Sequence, residues 1–148
     1  MELGLQGHTV VITGGGSGIG KAAALAFARE GAVVYIAGRS EARLAAAFED
    51  AQRQGLGLRP LVLDVRDEAA TVEVARRVAE ETGRLDVWVN NAGVAINKPF
   101  ESFTAEDWHT VLDTNLTAVF YGCRAAAGHM KRQKSGVILN ASSYAAKI

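Results

Sequence analysis

The stretch Thr13-Gly14-Gly15-Gly16-Ser17-Gly18-Ile19-Gly20 decides the fold of this chain, because it joins an apolar β-branched run to an Ala-rich helical pattern. Glycine permits positive φ angles and close approach of the backbone to a ligand. The helix that follows presents free N–H groups and the positive end of its dipole at the same place. A pyrophosphate is therefore expected at this strand–turn–helix junction, against Gly14, Gly16, Ser17, Gly18, Ile19 and Gly20.

Two other interpretations of the glycine stretch are disfavoured. A nucleoside-triphosphate loop needs a hydroxyl directly after its lysine, and here Ala22 follows Lys21. An ordinary flexible loop between a strand and a helix has no need of five glycines within seven residues. A dinucleotide is therefore the ligand that this stretch indicates.

Working outward from this stretch, short apolar runs suited to buried parallel strands alternate with longer helical patterns. The predicted strands cover residues 9–13, 32–37, 61–65, 85–90 and 137–141. The predicted helices cover residues 18–30, 40–54, 68–82 and 104–130, and Gly31, Gly55 and Gly83 end the first three. Strand–helix–strand crossovers of this kind build an α/β, doubly wound parallel sheet of Rossmann type.

The composition predicts a single domain over residues 1–148. The 16 Lys and Arg residues balance 16 Asp and Glu, so no charge field favours nucleic acid or an anionic membrane as a partner. The single cysteine, Cys123, can form neither an internal disulfide nor a two-cysteine zinc site. The first residues resemble no secretory signal. We expect a cytoplasmic protein without a metal site.

The end of the second predicted strand indicates which dinucleotide binds. An NAD site carries an acidic residue about 20 positions after the glycine motif, and here the sequence is Ala37-Gly38-Arg39-Ser40. The planar guanidinium of Arg39 suits a 2′-phosphate, and one such contact contributes about 1.5–3 kcal/mol. Arg39 and Ser40 are therefore predicted to bind NADP(H), with NAD(H) less favoured. The alternative is a solvated arginine at a helix start.

Further polar residues follow the glycine stretch in a recognisable order: Asp64, Asn90-Asn91-Ala92-Gly93, Asn115 and Ser142-Ser143. With them the chain resembles the short-chain dehydrogenase/reductase family over essentially all of its length. The resemblance implies an oxidoreductase that transfers hydride between a nicotinamide and a small-molecule carbonyl or alcohol substrate. For a full-length form, the resemblance implies a homodimer or homotetramer, and the sequence leaves the oligomeric state open.

The resemblance also implies roles for individual residues. Asp64 and Val65 would contact the adenine, although Asp64 could instead cap the next turn. The run Asn91, Ala92 and Gly93 would line the cofactor channel, whereas Asn90 is predicted to brace the sheet. Catalysis would involve Ser143, which would hydrogen-bond the substrate oxygen, and Asn115, which would hold a helix kink and a water of the proton relay.

The predicted helix over residues 104–130 has a capping signal and an apolar stripe. Thr104 with Asp107 three residues later predicts an N-cap. The stripe follows i, i+3, i+4 spacing and is expected to face the core, with Asn115 on it. A buried amide without partners costs about 1–3 kcal/mol, so Asn115 needs partners or a function. The stripe consists of Trp108, Val111, Leu112, Leu116, Val119, Phe120 and Cys123.

The acid/base pair of the family is a Tyr-x-x-x-Lys motif on the helix after the fifth strand. Here Tyr144 and Lys147 are three positions apart, so we predict a surface loop without a catalytic role for them. Residues 1–148 are then expected to be a Rossmann domain truncated after the fifth strand, without the catalytic helix and the substrate loop. Two hypotheses follow: the cofactor-binding part of an NADP-dependent reductase or dehydrogenase, or a catalytically silent NADP(H)-binding module.

Overall fold

A parallel sheet forms the centre of the computed structural model, which describes residues 3–143. Its strands are β1 (Thr9–Thr13), β2 (Val33–Gly38), β3 (Leu58–Val62), β4 (Val87–Asn90) and β5 (Val137–Asn140). They lie in the order β3-β2-β1-β4-β5, and each pair is parallel. The predicted doubly wound Rossmann-type sheet is confirmed. Its strand order reverses between β1 and β4, where open α/β sheets bind ligands at their carboxyl edge.

Five α-helices connect the strands: α1 (Gly18–Arg29), α2 (Glu41–Arg53), α3 (Glu68–Thr82), α4 (Ala105–Leu112) and α5 (Ala118–Gln133). Side-chain caps begin several of them, because the first helical N–H groups need acceptors. Ser40 Oγ accepts from the N–H of Arg43 at 3.3 Å, and Asp67 Oδ1 accepts from that of Ala70 at 2.9 Å. Gly83 ends α3 with a φ of 76°, as its position predicted.

The helices cover both faces of the sheet with apolar side chains. On one face α1 and α2 pack against Val10, Ile12 and Ile36. On the other face α3 and α5 pack against Val11, Tyr35 and Trp88. Near-continuous apolar strands are expected for a sheet that is buried on both sides.

The third strand begins and ends three residues before the predicted one. The apolar run over residues 61–65 suggested a strand there, and Leu61, Leu63 and Val65 are indeed buried. The strand pairing ends, however, where β2 ends at Gly38, whose carbonyl accepts from the N–H of Leu63 at 2.9 Å. Leu63 and Val65 therefore belong to the segment that leaves the sheet at its carboxyl edge.

The predicted single helix over residues 104–130 is interrupted. A π-helical turn over Asp113–Thr117 separates α4 from α5, and no residue of α4 is buried. The predicted core stripe is wrong at Trp108, Leu116 and Phe120, which are 57%, 65% and 57% exposed. Its other members are half-buried: Val111, Leu112, Val119 and Cys123. Small residues face the sheet instead: a Cβ on Gly122 would lie 2.1 Å from Asn90 Oδ1. Among the helices of residues 3–143, none is long and apolar enough to cross a bilayer.

Candidate cofactor site

The glycine loop between β1 and α1 is pressed against the segment that leaves β4. Gly14 has a φ of 66°, and a Cβ there would lie 2.9 Å from Ala92 Cα. A Cβ on Gly20 would lie 2.3 Å from the carbonyl oxygen of Gly14. Ser17 occupies the N-cap of α1 without a side-chain capping hydrogen bond. The first N–H groups of α1 are therefore available to an anion.

Thr13 and Asn91 lock these two segments together. The backbone N–H groups of Asn91 and Ala92 donate to Thr13 Oγ1 at 3.0 and 3.1 Å. Asn91 Nδ2 donates to the carbonyl oxygens of Thr13 and Gly14 at 3.0 and 3.3 Å. Asn91 thus fixes the position of the glycine loop while it also borders the groove that lies beside that loop.

A groove runs along the carboxyl edge of the sheet across the switch between β1 and β4. Its outer part has a volume of about 400 Å³ and lies between the glycine loop and the start of α2. Its inner part, about 480 Å³, continues towards the exits of β3 and β4. The groove brings together most of the residues predicted to bind the cofactor: Gly14, Gly16, Ser17, Gly18, Ile19, Arg39, Ser40, Val65, Asn91, Ala92 and Gly93.

Two arginines line both parts of the groove. Arg39 follows β2, and Arg43 lies in the first turn of α2. Neither guanidinium has a carboxylate within 4.0 Å among residues 3–143, so both are available to an anionic ligand. Sequence reasoning found Arg39 and missed Arg43. The signal that could have found Arg43 is its position in the first turn of the helix predicted over residues 40–54, where the helix dipole disfavours a cation.

Asp64 lies beside this groove without bordering it, although its neighbours Leu63 and Val65 do. Its carboxylate accepts from the backbone N–H of Arg66 at 3.0 Å and from Arg66 Nη2 at 2.7 Å. Arg66, assisted by the field of Arg39, lowers the pKa of the Asp64 carboxyl below 3.8 despite partial desolvation. These contacts agree with the alternative that Asp64 caps the turn after β3.

Asn115 lies in the π-helical turn and holds the loop that follows β4. Its Oδ1 accepts from the N–H of Val94, and its Nδ2 donates to the carbonyl oxygen of Val94, both at 2.8 Å. The side chain is exposed rather than buried in the core, so the predicted burial is wrong. The predicted association with a helix irregularity agrees with the π-helical turn.

The last strand places the remaining predicted residues. Asn90 accepts from Trp88 Nε1 and donates to Asn140 Oδ1, both at 2.9 Å, and so braces β4 against β5 as predicted. Ser143 is exposed three residues beyond the end of β5. Tyr144 and Lys147, for which no catalytic role was predicted, lie outside the described residues.

The loop over residues 94–103 borders the inner end of the groove at Val94 and continues to α4. Lys98 pairs with Asp107, which also forms the predicted capping box with Thr104. The Lys98 contact is the main cause that lowers the pKa of Asp107 to about 2. Phe100 is 90% exposed in a short 3₁₀ turn of this loop.

Comparisons with known proteins agree with this fold. The family described as short chain dehydrogenase matches residues 8–148. A 3-oxoacyl-[acyl-carrier-protein] reductase of Thermotoga maritima is 38% identical over 139 residues, which cover 94% of this chain and 56% of that protein. A probable oxidoreductase, EphD, of Mycobacterium tuberculosis is 45% identical over 146 residues, covering 97% of this chain and 24% of that protein.

A solved structure extends the likeness to three dimensions. A metagenomic short-chain oxidoreductase in complex with NADP superimposes with a TM-score of 0.90 at 33% identity, covering 97% of this chain and 66% of that one. The chain belongs to the short-chain dehydrogenase family of oxidoreductases. It spans about half the length of the Thermotoga reductase and about a quarter of the mycobacterial protein.

Proposed function

We propose that residues 1–148 are the NADP(H)-binding domain of an oxidoreductase that transfers hydride between the nicotinamide and a carbonyl or alcohol substrate. The observation that carries this proposal is the pair of arginines, Arg39 and Arg43, that line the groove without carboxylate partners among the described residues. Gly38 stands where an acidic residue would accept from the ribose 2′-hydroxyl of NAD and would repel a 2′-phosphate.

The donor set of the groove fits a phosphorylated dinucleotide. The glycine loop offers backbone N–H groups at the start of α1, where a pyrophosphate is stabilised by the helix dipole. The 2′-phosphate needs cationic donors, and Arg39 supplies several N–H groups in a planar fork. Lys21 does not compete for the phosphates, because it pairs with Asp50 at 2.6 Å. The NADP complex of the structural relative is consistent with this assignment.

The chemistry of the bound nicotinamide would be hydride transfer, and the chain would orient the reactants. Ser143 would donate a hydrogen bond to the substrate oxygen at the carboxyl edge of the sheet, where charge develops during reduction. Asn115 would hold the loop after β4 through its two hydrogen bonds to Val94. The apolar residues of that loop suggest a hydrophobic carbonyl compound as substrate.

A second candidate function is binding of NADP(H) without catalysis by this 148-residue chain. One observation supports this second candidate: none of the three tyrosines in the sequence is followed four residues later by lysine. A free phenol has a pKa of about 10 and is a poor proton donor at neutral pH without such a partner. Turnover of NADPH with a panel of ketones by the 148-residue chain would exclude this second candidate.

Assembly and location follow the family in this proposal. Trp108, Leu116 and Phe120 are exposed apolar side chains of the segment from α4 to α5, and we expect this segment to pair in a homodimer or homotetramer of the complete protein. The single cysteine of the sequence, Cys123, suits a reducing cytoplasm.

The experiment that tests the proposal compares NADPH and NADH binding by the parent and by Arg39→Ala. Loss of a charge-assisted contact is expected to weaken NADPH binding by about ten- to a hundredfold and to leave NADH binding within about twofold. Isothermal titration measures both dissociation constants. Arg53→Ala is the matched control, because Arg53 is exposed at the other end of α2. Equal relative affinities in the parent and in Arg39→Ala would contradict the proposal.

A further inference from the structure

Arg43, like Arg39, lacks a carboxylate partner among residues 3–143, whereas other arginines of the chain form ion pairs. Arg66, Arg84 and Arg124 pair with Asp64, Asp86 and Glu68 at distances between 2.6 and 2.9 Å. Arg43 has no such contact within the described residues, although it faces the groove. An unpaired guanidinium on a concave surface is a natural receptor for an anion.

The position of Arg43 in α2 also opposes a purely structural role. Ser40 is the N-cap, and its Oγ accepts from the backbone N–H of Arg43 at 3.3 Å, so Arg43 is the third residue of the helix. The positive end of the helix dipole repels a cation in this first turn. A bound dianion would offset this repulsion, because the helix start and the guanidinium would both attract it.

Gly16 determines how closely Arg43 can approach the glycine loop. A Cβ on Gly16 would lie 3.2 Å from Arg43 Cβ and 3.3 Å from the backbone N of Leu44. The neighbouring atoms belong to the start of the helix rather than to the mobile end of a side chain, so they yield little. An alanine at position 16 would therefore require a shift of a few tenths of an ångström between the loop and the first turn of α2.

We propose that Arg43 is a second specificity-determining residue, which binds the 2′-phosphate together with Arg39, and that Gly16 sets the distance between the glycine loop and Arg43. The inference rests on the proposed NADP(H) function and deepens it. A 2′-phosphate carries close to two negative charges at neutral pH, and two guanidinium groups balance them without help from solvent cations. A single arginine would leave about one charge uncompensated.

The test measures the dissociation constants of NADPH and NADH for Arg43→Ala, Arg43→Lys and Gly16→Ala, with Arg53→Ala as control. Arg43→Ala is expected to weaken NADPH binding by about tenfold and NADH binding by less than about twofold. Arg43→Lys should restore part of this loss, because it keeps the charge but not the planar fork. Gly16→Ala should lower the NADPH preference in the same direction.

Three results would overturn the inference. Equal weakening of both cofactors by Arg43→Ala would indicate stacking on the adenine or damage to the groove, rather than recognition of the phosphate. A changed preference in Arg39→Ala with none in Arg43→Ala would leave the proposed function intact and refute the role of Arg43. An unchanged preference in both variants would refute the two together. Urea unfolding verifies that each variant keeps the fold, because its midpoint should equal that of the parent.

Discussion

Replacement of Thr13 by valine tests whether the groove depends on the hydrogen bonds that join β1 to the segment after β4. Thr13 is 3% exposed, and its hydroxyl accepts from the N–H groups of Asn91 and Ala92 while it donates to the carbonyl oxygen of Val89. Valine keeps the shape but leaves two backbone donors without their acceptor. Because an unsatisfied buried donor costs about 1–3 kcal/mol, and both donors are half-buried, Thr13→Val is expected to lose about 2–4 kcal/mol of unfolding free energy.

Urea unfolding measures this loss, and Thr13→Ser is the matched control. Serine keeps the hydroxyl and removes one buried methyl, which costs about 1 kcal/mol. NADPH affinity should fall in Thr13→Val, because the glycine loop is no longer held against Ala92. If Thr13→Val were as stable as Thr13→Ser and bound NADPH equally well, the hydrogen bonds to Thr13 would not be what holds the groove.

Two further predictions concern charged side chains away from the groove. Asp86 is buried, and this burial raises the pKa of its carboxyl. The contacts with Arg84 and with the N–H of Thr9 outweigh the burial, so the pKa lies below 3.8. Asp86→Asn should therefore lower the unfolding free energy by about 1.5–3 kcal/mol in urea titration at pH 7. The pKa of Asp107 is lowered to about 2, so the stability that its contacts with Lys98 supply is present above about pH 4 and is lost as the pH falls towards 2. The difference in thermal midpoint between the parent and Lys98→Met should vanish across that window, and a constant difference would contradict the assignment.

The sequence predicted the sheet and the glycine loop well because both depend on local rules. Glycines between a strand and a helix have few other uses, and the steric contacts of Gly14 and Gly20 with the neighbouring segment explain why no larger residue stands there. The capping box of Thr104 and Asp107 is equally local, since its contacts span only three residues.

Features that depend on tertiary contacts escaped prediction. Within the apolar run over residues 61–65, Leu61, Leu63 and Val65 are buried as expected, but β2 ends at Gly38, opposite Val62, so residues 63–65 lie beyond the strand pairing. Leu116 and Phe120 are exposed although their spacing predicted burial, because a π-helical turn interrupts the continuous helix that this spacing assumes. Arg43 was missed because its relation to Gly16 exists only after α2 packs against the glycine loop.

Binding of 2′,5′-ADP and of 5′-AMP to this chain tests the central claim most directly, because the two ligands differ only in the 2′-phosphate. Isothermal titration at neutral pH gives both dissociation constants without a contribution from the nicotinamide. Recognition of the phosphate by Arg39 and Arg43 predicts that 2′,5′-ADP binds at least about tenfold more tightly, and that rising salt reduces the difference. Equal affinity, or tighter binding of 5′-AMP, would contradict the assignment of this groove to NADP(H).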